Sequence, residues 1–320
     1  MMLEVRGLRH DFATPRGPLH AVRGVDLRVQ PGQTLAIVGE SGSGKSTTAR
    51  AVARLIEPTA GQVLLDGEDL ITASRRRTFE LRRRIQFVFQ DPYSSLDPRR
   101  SVGKAVREPL DVHRVGTRQQ REQKVTDLLR LVGLEPEHQP VLPSALSGGQ
   151  RQRVAIARAL ALEPEFVICD EAVSALDVSI QAQVLNLISD LQERLGVAFI
   201  FITHDLAVVS EIADSVAVMY LGRVVESGTR EEVLGNPQHP YTQALLSAAP
   251  GVRGRTERIV LQGESPSALR PPSGCAFRLR CPRAQEKCAV DDPTLAPVAS
   301  GTHLAACHFP GELTVEERTK

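Results

Sequence analysis

What this chain of 320 residues lacks already narrows what it can be. No apolar run approaches the roughly 20 residues a helix needs to cross a bilayer. Residues 197–202 and 216–221 come nearest, and each is broken within a few positions by charge or glycine. The start, Met1-Met2-Leu3-Glu4-Val5-Arg6, has no basic stretch leading into an apolar one, so it does not read as a secretory leader. The chain is therefore expected to stay in the cytoplasm and to reach a membrane only through a partner. An excess of one charge is missing too: 39 Lys and Arg against 38 Asp and Glu leave +1, which gives no case for a nucleic-acid partner. Arg75, Arg76 and Arg77 with Arg82, Arg83 and Arg84 form a local basic cluster. That cluster reads as the solvated face of a short helix, with a phosphate or membrane-surface contact as the alternative. No internal repeat is evident, and the five cysteines include no tight CxxC pair. At 42% hydrophobic and 24% charged residues, the composition suits a soluble enzyme with one large or two smaller cores.

What is present starts with Gly39-Glu40-Ser41-Gly42-Ser43-Gly44-Lys45-Ser46-Thr47. Gly39 and Gly44, with small residues between them, let backbone N–H groups turn inward on a polyanion with no Cβ in the way. Lys45 supplies a point charge for the β and γ phosphates, and Ser46 a hydroxyl for Mg²⁺. The helix beginning near Lys45 points its positive end at the same place. The apolar run Leu35-Ala36-Ile37-Val38 ahead of it gives the strand, loop and helix context such a motif requires.

A second apolar strand, Phe166-Val167-Ile168-Cys169, ends at Asp170-Glu171. Doubly wound sheets place their ligand chemistry at the carboxyl ends of strands. Asp170 is therefore the outer anchor expected for Mg²⁺, and Glu171 the general base for water attacking a γ-phosphate. Between the two motifs lies Leu146-Ser147-Gly148-Gly149-Gln150, whose Ser-Gly-Gly precedes a helical run over residues 151–161, another helix N-terminus built to face an anion.

This order of elements resembles the ATP-binding cassette (ABC) family over nearly the whole chain. The resemblance implies an α/β P-loop NTPase fold with a RecA-like core, an antiparallel β subdomain and a helical subdomain. It also implies that Ser147, Gly148, Gly149 and Gln150 close over the γ-phosphate held by the opposite subunit. Gln90, ending the strand 85–89, resembles the glutamine that senses Mg²⁺ and couples the sheet to the helical subdomain. Ser174-Ala175-Leu176-Asp177 resembles the loop that crosses the subunit interface, with Asp177 at its end. His204 resembles the histidine at the γ-phosphate, and Phe12 the aromatic that stacks on adenine, although His10 lies close to it. The nucleotide set expected is thus Phe12, Gly39, Ser41, Gly42, Ser43, Gly44, Lys45, Ser46, Thr47, Gln90, Ser147, Gly148, Gly149, Gln150, Asp177 and His204. Within it Lys45, Glu171 and His204 are expected to serve catalysis, and Ser46, Gln90 and Asp170 to hold Mg²⁺. Two rival classes lack their features. A DNA- or ribosome-acting cassette would need a long coiled-coil insertion or a second cassette, and a small-molecule kinase would have no use for residues 146–150 or His204.

Residues 89–99, Phe-Gln-Asp-Pro-Tyr-Ser-Ser-Leu-Asp-Pro-Arg, resemble a segment of the ATPases of oligopeptide and dipeptide importers. His239-Pro240-Tyr241-Thr242-Gln243-Ala244-Leu245-Leu246 resembles the start of the carboxyl-terminal extension of that subfamily. Nickel, glutathione and antimicrobial-peptide systems share the extension, and a soluble ABC ATPase not coupled to transport is the other alternative. The implied partners are a second ABC ATPase subunit (a sister chain or a copy of itself), two transmembrane permease subunits and, indirectly, an extracytoplasmic solute-binding protein. The implied location is the cytoplasmic face of the cell membrane, as a peripheral protein.

The expected division is a nucleotide-binding domain over 1–235, with the helical subdomain at about 91–162, and an extension over 236–320. Residues 3–8 and 25–29 read as strands of an antiparallel subdomain. Residues 118–132 read as a helix with Val125, Leu128, Leu129 and Val132 on one face. Cys169 packs as a small apolar residue in its strand. Cys275, Cys281, Cys288 and Cys307 crowd the tail, where in a cytosolic protein four thiols suggest a metal rather than disulfides. Their spacing leaves zinc, an iron–sulfur cluster and unligated thiols open. The resemblance of Pro271-Pro272-Ser273-Gly274-Cys275 through Cys281-Pro282 to some peptide-importer ATPases implies a 4Fe-4S cluster, with His303 and His308 as substitute ligands.

Overall fold

Apolar residues at alternate positions set the first sheet. Val25, Leu27 and Val29 face inward along the second strand while Asp26 and Arg28 face water. In the computed structural model, which describes residues 2–249, 259–298, 301–314 and 317, β1 (Leu3–Thr14) and β2 (Gly17–Val29) pair antiparallel. Both outrun the short strands expected, because bulges at Val5/Leu8, Leu8/Arg9 and His10/Asp11 let the ladder continue. The fully buried β3 (Thr34–Val38) leads into α1 (Lys45–Val52). After it, β4 (Ala60–Leu65) and β5 (Glu68–Asp69) complete a four-stranded sheet in the order β2-β1-β4-β5.

Residues 73–201 form a second compact unit. It holds α2 (Arg75–Leu81), β6 (Ile85–Val88), α3 (Pro92–Ser95), α4 (Val102–Val112), α5 (Arg118–Leu131), α6 (Gly148–Leu160), β7 (Phe166–Asp170) and α7 (Val178–Leu195). Strands β6 and β7 run parallel, Ile85 opposite Phe166 and Val88 opposite Cys169. Helices α4 and α5 pack on α6, and α5 buries Val125, Leu128 and Leu129, with Val132 at its C-cap. Arg75, Arg76 and Arg77 are exposed on α2, as a solvated helix face would be.

On β8 (Ala198–Thr203) the chain returns to the first unit, which also contains residues 1–72. There follow α8 (Leu206–Ile212), β9 (Ser215–Tyr220), β10 (Arg223–Thr229), α9 (Arg230–Gly235), α10 (Pro240–Ala248), α11 (Lys287–Val290), β11 (Ala296–Pro297) and β12 (Leu304–Ala305). Strand β9 runs parallel to β3 and antiparallel to β10. The described residues from 236 onward fall in the same compact unit as residues 1–72. Its β12 extends the sheet at β10, and its Tyr241 and Phe277 enter the same core as Val38, Val216, Val218 and Tyr220. The three rings touch, with centroids 4.7 Å apart for Tyr220 and Tyr241, 5.2 Å for Tyr220 and Phe277, and 5.4 Å for Tyr241 and Phe277. Among the described residues, no helix is long and apolar enough to cross a membrane.

Candidate active site

The loop after β3 is built around glycines that nothing else could replace. Gly39 and Gly44 have φ of 152° and 99°, where side chains are strained. A Cβ on Gly39 would sit 2.2 Å from the Met219 carbonyl oxygen, and one on Gly44 2.3 Å from that of Ala21. Gly44 caps α1 without a side chain to satisfy the first backbone N–H groups, so that helix end is presented to a ligand. Lys45 is buried and donates through Nζ to the carbonyls of Gly39 at 2.7 Å and Glu40 at 2.9 Å. The ammonium is thereby held inside the loop.

One loop residue is fixed from the tail. Arg280 grips the Glu40 carboxylate with both terminal nitrogens, Nη1 to Oε2 at 2.7 Å and Nη2 to Oε1 at 3.1 Å. Ser265 Oγ donates to Oε2 at 2.8 Å, and the Tyr241 hydroxyl accepts from the Glu40 backbone N–H at 2.8 Å. Partial burial alone would raise the Glu40 pKa. The bonds from Arg280 and Ser265 outweigh it and hold the carboxyl below its usual range. Sequence reasoning missed this contact, since 240 residues separate its partners and no local pattern links them.

In the same unit, Phe12 is 38% exposed, with its ring edge-on to His10 at 4.4 Å between centroids. His10 is buried and bonded through Nδ1 to the Glu57 carbonyl at 2.9 Å. Phe12 is thus the ring of the two with an accessible face. His204 follows β8 directly and is exposed.

The second unit carries the other expected residues. Asp170 ends β7 fully buried. Beside it, burial chiefly, helped by the Asp170 charge, pushes the Cys169 thiol up to about 12, so Cys169 packs as a neutral apolar group. Glu171 adopts the left-handed conformation at φ 47°, a strained position for a residue with a side chain. Its Oε2 accepts from Gln90 Nε2 at 2.7 Å. Helix α6 begins at Gly148, three residues before the run expected at 151. The cause is a capping box: Ser147 Oγ accepts from the Gln150 N–H at 3.2 Å, and Gln150 Oε1 from the Ser147 N–H at 2.9 Å. Gly149 allows α7 to approach, since a Cβ there would lie 2.5 Å from Ile180 Cγ2. Asp177 is exposed at the N-cap of α7.

Cys275, Cys281, Cys288 and Cys307 line one small cavity together with His239 and His308. Burial is the main cause that pushes Cys281 up to about 12, Cys307 up to about 11 and Cys275 above its ordinary value. Among the described residues, no group of three or more His, Cys, Asp or Glu is placed to hold a metal ion. The expected substitute ligand His303 is engaged elsewhere. It is buried with Nε2 2.7 Å from Glu226 Oε1, and Glu226 also accepts from the backbone N–H groups of Gln238 at 2.6 Å and His239 at 2.9 Å.

Comparison with known proteins converges on one group. The family model described as "ABC transporter" matches residues 22–174, and that described as "Oligopeptide/dipeptide transporter, C-terminal region" matches residues 225–288. A probable peptide ABC transporter ATP-binding protein of Sinorhizobium fredii is 53% identical over 300 residues, covering 93% of this chain and 84% of the relative. The oligopeptide transport ATP-binding protein AppF of Bacillus subtilis is 49% identical over 303 residues, covering 93% of this chain and 92% of the relative. Among solved structures, a dimeric post-hydrolysis ATP-binding cassette bound to ADP and Pi is 29% identical. It has a TM-score of 0.65 and covers 71% of this chain and 98% of its own.

Proposed function

This chain belongs to the ABC transporter family, among the ATP-binding proteins of peptide importers, and from that premise we propose how its residues use ATP. It is the ATP-binding subunit of a peptide or dipeptide importer, and its hydrolysis of ATP is coupled to transport.

In the proposed reaction, the N–H groups of residues 39–47 and the start of α1 cradle the phosphates. Lys45 leaves the loop carbonyls for the β and γ phosphates, and Phe12 stacks on the base. Ser46, Asp170 and Gln90 are the residues that would hold Mg²⁺. Their donors suit it: a hydroxyl, a buried carboxylate and an amide carbonyl are the hard oxygens this cation prefers. When bound, the ion neutralises charge on the phosphate oxygens. Glu171 takes the proton from the attacking water, held in position by the Gln90 hydrogen bond. His204 assists at the γ-phosphate. Ser147, Gly148, Gly149, Gln150 and Asp177 serve the nucleotide of a partner ATPase, so binding drives two subunits together, and hydrolysis with product release lets them part.

The observation that carries this reading is the phosphate loop itself. Two of its glycines have their Cβ space filled by backbone carbonyls, and a buried lysine lies inside it. The partners are a second ABC ATPase and two membrane permease subunits, with a solute-binding protein acting indirectly. The chain works peripherally, at the cytoplasmic face. A 4Fe-4S cluster in the cavity shared by the four tail cysteines is the finer reading of the tail, supported by their convergence on one cavity. Zinc is its rival.

The test is ATP-dependent peptide uptake by vesicles carrying the chain with its co-purified permease and sister ATPase. Uptake should require MgATP and vanish with Lys45→Ala. Uptake unchanged by that substitution would overturn the assignment.

A further inference from the structure

Glu40 sets a physical problem that the phosphate loop does not solve by itself. It stands next to Gly39, and a free carboxylate there would repel an incoming triphosphate and leave that part of the loop free to reorient. The tail solves both parts at once. Arg280 is 9% exposed at its side chain and meets Glu40 in a two-pronged contact, the geometry in which a guanidinium both neutralises and orients a carboxylate. Arg280 Nη1 also donates to Ser265 Oγ at 3.0 Å, closing a three-member cluster with Glu40. The Tyr241 hydroxyl fixes the Glu40 backbone N–H from a ring locked between Tyr220 and Phe277. The Glu40 carbonyl, in turn, accepts from Lys45 Nζ. A chain of direct contacts therefore runs from the tail core to the ammonium that receives the phosphate.

We propose that Arg280 is a positioning residue for nucleotide binding: by holding and neutralising Glu40 it keeps the phosphate loop in its receptive shape, which makes the carboxyl-terminal tail part of the ATP site. The inference rests on the reading that MgATP is the ligand of the loop. If the wild-type chain binds no MgATP, that reading has failed; if it binds and the variants below behave like wild type, this one has.

The experiment measures MgATP affinity of the full chain by titration, alongside its melting temperature. Arg280→Ala should weaken MgATP binding roughly tenfold, the loss expected when a charged hydrogen-bonded pair no longer supports the lysine. In the assembled ATPase, KM should rise with kcat at saturation nearly kept. Arg280→Lys, which retains the charge but not the fork, should fall between. The decisive arm is a double-variant cycle. With Glu40→Gln the harmful charge is gone, so adding Arg280→Ala should cost less than threefold. Arg283→Ala serves as control. It breaks another tail clamp, Arg283 to Glu317 at 2.8 Å, without touching the loop, and should lower the melting temperature while leaving affinity within twofold. The proposal is overturned if Arg280→Ala leaves affinity within twofold, or if its penalty is the same with Gln at position 40. Should Arg280→Ala fail to fold, Ser265→Ala and Arg280→Lys carry the same test, and unchanged affinity in both overturns it.

Discussion

Gln90 donates through Nε2 to Glu171 Oε2 at 2.7 Å, joining the segment after β6 to the end of β7. The bond aims one carboxylate, and Glu171 sits in a strained backbone conformation to receive it. Glu171→Gln should therefore keep ATP binding and lower turnover by roughly 10² to 10⁴, the usual worth of a general base. Phosphate release under saturating MgATP measures it. Near-normal hydrolysis would remove Glu171 from the role.

The loop glycines make a separate prediction. Gly39→Ala and Gly44→Ala each drive a methyl to within 2.3 Å of a backbone carbonyl at positive φ, and neither carbonyl can swing aside as a side chain would. Nucleotide binding should drop below detection in both. Gly42→Ala has open space around its Cβ and only the strain of φ 78°, so it should retain measurable binding. Equal loss in all three would show that space is not what selects glycine here.

Glu226 is fully buried and accepts from His303 and two backbone N–H groups. Glu226→Ala would strand those donors, a cost of about 3 kcal/mol. A melting point lower by roughly 6–12 °C is expected for a unit of this size. A shift under 2 °C would mean the donors find other partners.

His239 gives the stability a pH dependence. It is fully buried, and burial, only partly offset by the Glu226 charge, lowers its pKa from 6.5 to about 4. Its Nδ1 accepts from the Tyr241 N–H at 3.1 Å, which fits the neutral ring. Between those pH values the unfolded chain binds a proton that the folded chain refuses. Stability is thus fully present above about 6.5 and is lost as pH falls towards about 4, by about 3 kcal/mol in all. Denaturant unfolding across that range should show the slope in wild type and a flatter one in His239→Gln.

The cysteine cavity predicts a chemical analysis. The cluster proposed there requires about four iron and four acid-labile sulfide per chain in protein purified without oxygen. A colourless preparation with stoichiometric zinc, or one with no metal at all, would replace it.

Much of this was legible in the sequence because the signals are local. The phosphate loop is one continuous segment whose glycine spacing has a single steric meaning, and residues 118–132 repeat at the helical period, so α5 lies where expected. The Asp170-Glu171 pair announces itself at the end of an apolar strand. What sequence could not reveal is long-range. Nothing near Arg280 indicates that its fork reaches Glu40, and nothing near His303 indicates that a buried carboxylate on β10 would claim it ahead of a metal. Helix α6 starts at Gly148 rather than at 151 because the Ser147–Gln150 capping box carries two glycines, poor helix formers, into its first turn.

The central claim is that MgATP joins this chain to a partner ATPase. Sedimentation equilibrium of the Glu171→Gln chain, alone and mixed with its co-purified sister ATPase, tests it most directly. MgATP should drive the mass from one subunit to two, and ADP should not. A chain that binds MgATP yet sediments as a single subunit in both mixtures would contradict the account.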